Sequence, residues 1–242
     1  MQKQTEIIDK LCEVRNINLT SSEDMQKEFE VLVVNDKMKK YELTTECKEF
    51  LGRKLYRIKA LTFFSDVKEG DLGGWIEKEE NLSQEGNTWV YDNARVCGNA
   101  TVSDNATVSD NATISGNATV SDNATVSGTA RVSGNATVSG NAWVSGNASV
   151  SGNAMVGGNA WVYGNAEIKK KTHLLEIGFI GSRDDVTTFF RTKDKEIFVK
   201  CGCFKGNIED FEKQVQKVHG DDKHGRVYAL AIAMAREQIE LD

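Results

Sequence analysis

The sequence predicts a mainly β fold: a parallel β-helix of hexapeptide repeats between an N-terminal α+β cap and a small C-terminal α+β domain. Three observations predict it. Val or Ile recurs every six residues from Val90 to Ile168, fourteen hexads without an insertion. Ala sits two residues before each of them from Ala94 to Ala166, and Asn three before each, except at Thr129. The 242-residue chain holds no proline, which stacked backbone ladders tolerate poorly because proline removes a ladder donor. The composition shifts divide the chain into a cap over 1–86, the repeat over 87–170 and a distinct segment over 171–242.

A period of six is too regular for a helical heptad and too long for simple strand alternation. It resembles the hexapeptide-repeat left-handed parallel β-helix, in which three hexads close one triangular turn. The resemblance implies that Val/Ile points inward along each flat face and that Ala fits the tight corner. Gly or Asp, then Asn, precedes that Ala, and these residues accept the left-handed backbone a corner needs. Eighteen residues per turn make fewer than five coils, a column roughly 22 Å tall at the strand spacing of sheets. Stacked Asn can build amide ladders up the corners. The bare strand edges at the two ends need covers, and the flanking segments are the natural caps.

Composition narrows the function. Charged residues make up 27% and hydrophobic ones 39%, as in a soluble folded protein. The net charge is −6 with no strongly basic segment, which argues against general nucleic-acid binding. No apolar run approaches a membrane span, and the charged start lacks a signal peptide's apolar core. Five scattered cysteines fit a reducing compartment, so a cytoplasmic location is expected.

Many hexapeptide-repeat proteins are acyltransferases that take a histidine base from the coil or from an inserted loop. Here all three histidines (173, 219, 224) follow the repeat, and no loop interrupts it. That argues against acyl transfer by the coil. Rows of outward Thr and Ser resemble ice-binding coils, yet they run on all three faces, as exposed strand residues ordinarily do. The residues that break the repeat say more. Trp89, Thr107, Thr125, Trp143 and Trp161 lie eighteen apart and form one outward column. Trp143, Trp161 and Tyr163 make an aromatic patch that marks an interface, either of a homotrimer or beneath the chain's own C-terminal segment.

Before the repeat, Ile7, Leu11 and Val14 predict a short amphipathic helix over 4–15, and FEVLVV a strand over 29–34. EFLGRKLYRIKAL reads as a hairpin turning at Gly52-Arg53. LYRIKAL, followed by GDLGGWIEKEENLSQEG and the hexads, resembles a family of phage- and prophage-encoded hexapeptide proteins over roughly residues 40–170. That resemblance implies a bacterial host cytoplasm and little about activity.

After the repeat, LLEIGFI, DVTTFFRT and EIFVKCGCF read as strands, with TKDKE as a turn. NIEDFEKQVQKVHG reads as a helix capped by Asn207 and ended by Gly220. A second helix over 225–240 carries Val227, Leu230, Ala231 and Met234 on one face. Two constellations stand out. In GFIGSRDDVTTFFRT, Ser182 and Arg183 offer a phosphate-binding turn, while Thr187, Phe189 and Arg191 on one strand face add a hydroxyl, a stacking ring and a second guanidinium. The ordinary alternative is a tight turn with solvated charges. Cys201 and Cys203 with His219 and His224 are a valid zinc set, but a thiol pair on a strand is ordinarily just buried. No metal, cofactor or catalytic residue is therefore assigned. The expectation is a non-enzymatic phage-type trimer that sequesters an anionic small molecule, such as a cyclic nucleotide of host immunity. The alternative is a scaffold that docks a protein.

Overall fold

The structure, a computed structural model, describes residues 39–242. The helix expected over 4–15 and the strand over 29–34 lie outside the described residues. The expected hairpin is present as β1 (Tyr41–Phe50) and β2 (Arg53–Ala60). Its turn falls one residue early, on Leu51 and Gly52, which both take positive φ (50° and 73°). β3 (Leu72–Ile76) pairs antiparallel with β2 and parallel with the coil, so the hairpin prolongs one face of the coil.

Fourteen two-residue strands follow, one per hexad, from β4 (Trp89–Val90) to β17 (Glu167–Ile168). Each of the first eleven pairs in parallel with the strand eighteen residues on, as Trp89 with Thr107 and Thr107 with Thr125. The result is a β-solenoid of about five turns with three flat faces. Every inward Val, Ile and Ala of the repeat is essentially inaccessible to solvent. Burying one such Val contributes up to about 2 kcal/mol, so the repeat stabilises itself turn by turn.

The corners show why Gly and Asp alternate there. Both occupy positive φ, about 57–59° at Asp104, Asp110 and Asp122. A Cβ on Gly116 would come within 2.9 Å of the Gly134 amide, so stacked glycines let turns approach closely. Where Asp stands instead, its carboxylate accepts from an amide one turn on, as Asp110 does from Gly128 at 2.8 Å. Asn side chains form two ladders, Asn87 to Asn159 and Asn99 to Asn153, each rung 2.9–3.2 Å. At the third corner Thr129 replaces Asn, and its hydroxyl donates to the Asn147 side chain one turn on.

Both ends are covered. At the first turn Trp89 lies under Tyr41 and Phe64, with ring centroids 6.1 and 5.3 Å away. Buried Asn81 donates to the carbonyls of Gly98 and Ala100, satisfying the open edge there. At the other end lies an antiparallel sheet of β18 (Leu174–Ile180), β19 (Asp185–Arg191), β20 (Ile197–Cys201) and β21 (Phe204–Asn207). One sheet face meets the coil: Phe190 joins the coil's core, and the Thr188 hydroxyl accepts from the Trp161 amide at 3.2 Å. Glu176 accepts from the Asn159 amide at 3.0 Å. The other face packs against α1 (Ile208–His219) and α2 (Lys223–Gln238) through Phe189, Phe211, Tyr228 and Ile232. No helix among the described residues is long and apolar enough to cross a membrane.

The end module departs from its expected outline twice. EIFVKCGCF is not one strand, because Gly202 (φ 53°) turns the chain between β20 and β21. On α2 the buried stripe is Tyr228, Ala231, Ile232 and Ala235, whereas Leu230 and Met234 face solvent. The long ring of Tyr228 claims the sheet, and that sets the helix's rotation.

Candidate functional site

Where the end sheet meets the last turn of the coil, a cleft of about 460 Å3 opens. Asn159 and Trp161 line it from the coil, and Phe179, Asp185, Val186, Thr188 and Lys200 from the sheet. The period-two alternation explains the sheet's share: Thr188 and Lys200 are register partners on the coil-facing side. The Lys200 ammonium stands 4.8 Å from the Trp161 ring centre, a cation–π contact, and donates to the Gly202 carbonyl. Trp143 packs against Trp161 with ring centroids 4.9 Å apart and planes tilted by 47°, extending the aromatic wall down the coil. Phe179 is among the most exposed apolar side chains of the described residues. The cleft thus joins flat apolar surface, one ammonium, one carboxylate and a buried hydroxyl, the usual makings of a small-molecule site.

On the opposite side of the same two strands lies a second polar group. Thr187 donates to the Cys201 sulfur at 3.2 Å, and that thiol donates to the Tyr228 hydroxyl at 3.4 Å. The Arg183 guanidinium reaches Cys203 at 3.4 Å across the two turns. Burial, then the Cys201 contact, pushes the Tyr228 hydroxyl well above the usual phenol range, so it stays protonated. Gly181 is required beneath it, since a Cβ there would lie 1.7 Å from that oxygen. His219 packs against Tyr228 and His224, and its Nδ1 is 3.5 Å from Asp222. Asp222 caps α2 by accepting from the Gly225 amide, which is the main reason its carboxyl is held low.

The far end of β19 is built around a buried ion pair. Arg191, about 4% exposed, meets Glu167 of the last hexad at 2.5 Å and donates to the Asp242 main-chain oxygen at 3.3 Å. Hydrogen bonds from Lys169 and Arg191 hold the Glu167 carboxyl below its usual value. His173 lies beside the pair, fully enclosed, and its burial lowers the imidazole pKa.

The structure separates the five residues expected to bind an anion. Ser182 and Arg183 sit on the exposed β18–β19 turn. Arg191 lies at the other end of the seven-residue strand, roughly 20 Å away at the ordinary strand rise. Between them Thr187 and Phe189 are wholly buried, the latter against Phe211. Thr187, Phe189 and Arg191 share one parity of β19, but length along the strand and the covering helices keep the groups from converging. The aromatic patch is divided as well. Trp143 and Trp161 stay half-exposed, while Tyr163 is covered by Phe190 and Phe198 of the end sheet. Cys201, Cys203, His219 and His224 do not form a ligand group: the Cys201 sulfur is engaged by Thr187 and Tyr228 and the Cys203 sulfur by Arg183. Asp185 and Lys200 were missed. Lys200 stands at opposite parity to Cys201, whereas Asp185 shares the parity of Thr187 and reaches the cleft from the irregular start of the β18–β19 pairing, which no sequence signal announces.

Comparison with known proteins bears on the coil. Segments 90–104, 94–110, 112–128, 130–146 and 148–164 match the family described as the YdcK beta solenoid repeat. A protein of Escherichia coli (strain K12) named "Uncharacterized acetyltransferase YdcK" is 42% identical over 67 residues, covering 24% of this chain. The match spans only 21% of that relative's length. These similarities support the hexapeptide-repeat type and carry no support for a phage origin. They also correct the expectation of a non-enzymatic protein, since the relative's name is that of an enzyme.

Proposed function

We propose that the chain is an acyl-transferring enzyme whose reaction takes place in the cleft between the last coil turn and the end sheet. One observation carries this reading: a stacking wall, an ammonium, a carboxylate and a hydroxyl converge there, while the described coil faces below are mostly Thr, Ser and Val. The relative's name supplies the reaction class. Trp161 and Phe179 would hold the flat part of an activated thioester donor, and Lys200 its anionic part. Asp185 accepts the proton of an acceptor amine or hydroxyl as that group attacks the thioester carbonyl. The Thr188 oxygen already accepts from the Trp161 amide, so its own proton is free to meet the developing oxyanion. The donor's thiolate leaves and is protonated from solvent.

The expected homotrimer belongs with this reading. The exposed indole of Trp143 continues the cleft's wall outward, and a neighbouring coil packed on that face would close it.

The test is transfer from acetyl-coenzyme A to a panel of amines and alcohols, followed by mass spectrometry of the products. Asp185→Asn should cut turnover by about 100-fold or more while binding persists. Lys200→Ala should weaken donor binding about tenfold. Failure of the wild-type chain to bind the donor or form any acylated product would end the proposal.

A further inference from the structure

A second site lies at the opposite end of β19, away from the cleft. An imidazole nitrogen of His173 and one carboxylate oxygen each from Glu240 and Asp242 lie within 4.8 Å of one another. Acidic pairs on surfaces are common, and alone they signify nothing. His173 is different, because it is 98% enclosed and its Nε2 atom has no hydrogen-bond partner. Its Nδ1 lies 3.3 Å from the Glu167 carbonyl and 3.3 Å from the Lys169 amide, so one tautomer donates to the carbonyl and the other accepts from the amide. When Nδ1 donates to that carbonyl, the Nε2 lone pair is free in a buried place. A main-chain carbonyl on one imidazole nitrogen is how proteins orient the other toward a metal.

The two carboxylates already draw a cation. The Lys170 ammonium lies 2.5 Å from Glu240 and 3.6 Å from Asp242. Lys170 is half-exposed and can swing into solvent, leaving two negative charges and one neutral nitrogen. The Arg191 guanidinium is held on Glu167 and the Asp242 main chain, so it steadies the segment without occupying the carboxylates.

We infer that His173, Glu240 and Asp242 form a binding site for a divalent transition cation, Zn2+ fitting best, that fastens the chain after α2 to the last turn of the coil. One imidazole and two carboxylates match the donor types and charge of a three-ligand zinc site with one open position. Ligands from residues 173 and 240–242 would close a long loop through the whole end module. Binding therefore stabilises the module's seat on the coil. The site stands independently of the acyl-transfer reading, because none of its residues lines the cleft.

The test is titration of the full, metal-stripped chain with Zn2+ alone, by calorimetry and by metal analysis after dialysis. The wild-type chain should hold one Zn2+ and melt at a higher temperature with it. Glu240→Gln with Asp242→Asn, both exposed and harmless to the core, should weaken binding by about 100-fold and abolish the thermal shift. Lys170→Ala removes the resident competitor and should tighten binding. Cys201→Ser with Cys203→Ser should change nothing. A wild-type chain that retains no Zn2+ overturns the inference. So does binding that survives the carboxylate replacements or disappears with the thiols.

Discussion

The coil and the end module solve one problem, burial of apolar surface, in opposite ways. In the coil each turn repeats the last, so no residue is special and any Val stands for every other. In the end module each contact is made once: Phe189 on Phe211, Tyr228 above Gly181, Arg191 on Glu167. Repetition makes stability additive and leaves little room for chemistry. Single-use packing permits different side chains at each place, and there the chain keeps its clefts and ion pairs. The difference teaches that a repeat protein's activity is best sought where the repeat stops.

The comparison can be broken first by charge. Val126→Asp puts a carboxylate in the dry centre of the coil and should cost more than about 4 kcal/mol, a loss visible in the circular-dichroism melt. Because each turn packs on its neighbours, strand signal should be lost first from the turns stacked on Val126. Phe211→Ala should cost about 3–4 kcal/mol, yet spare the coil and melt only the end module. A single transition in both variants, monitored by hydrogen exchange, would mean that the two regions do not fold as separate units.

Their junction comes next. Glu167→Ala leaves the Arg191 guanidinium buried without its partner and should cost about 2–3 kcal/mol, discounted because Glu167 keeps some solvent. The same interaction carries a pH dependence. The folded-state pKa of Glu167 is lowered, so its stabilisation is fully present above the ordinary value of 4.5. It is lost as pH falls through the lowered value. Melts of wild type and Glu167→Ala should therefore converge in acid, below pH 4.5. A constant difference across that range would remove the ion pair from the junction.

The smallest effect sharpens the comparison inside the coil. Thr129 stands between Asn111 and Asn147 at the third corner, where its hydroxyl takes the place of an amide rung to Asn147. Thr129→Asn should add under about 1 kcal/mol, and Asn123→Ala should remove about as much from a ladder already built. Equal melting temperatures for all three proteins would show that the rungs contribute nothing beyond filling the corner.

The coil was legible because its period, inward aliphatics and positive-φ corners are local features, each restated fourteen times. The β1–β2 hairpin, apart from the exact residues of its turn, and the Asn207 cap were legible for the same reason. What escaped was whatever depended on a partner distant in sequence. The rotation of α2 follows from Tyr228 meeting the sheet, and no helical periodicity within 223–238 announces it. Gly202 looked like a strand residue between two cysteines, and only the pairing of Cys201 with Phe204 reveals a turn. The cleft draws Trp161, Phe179, Asp185 and Lys200 from four separate strands or their ends. Of these only Trp161 interrupted a pattern strict enough to be noticed.

The eighteen-residue turn has a consequence for how such a chain can change length. Duplicating or losing one whole turn returns every following side chain to its old face, so the end module keeps its bearing and only its height changes. Losing a single hexad would instead turn the module by a third of a revolution about the coil axis. The gene can therefore lengthen in steps of eighteen codons without disturbing function. Steps of six would re-aim everything downstream, like a key cut correctly and inserted on the wrong side.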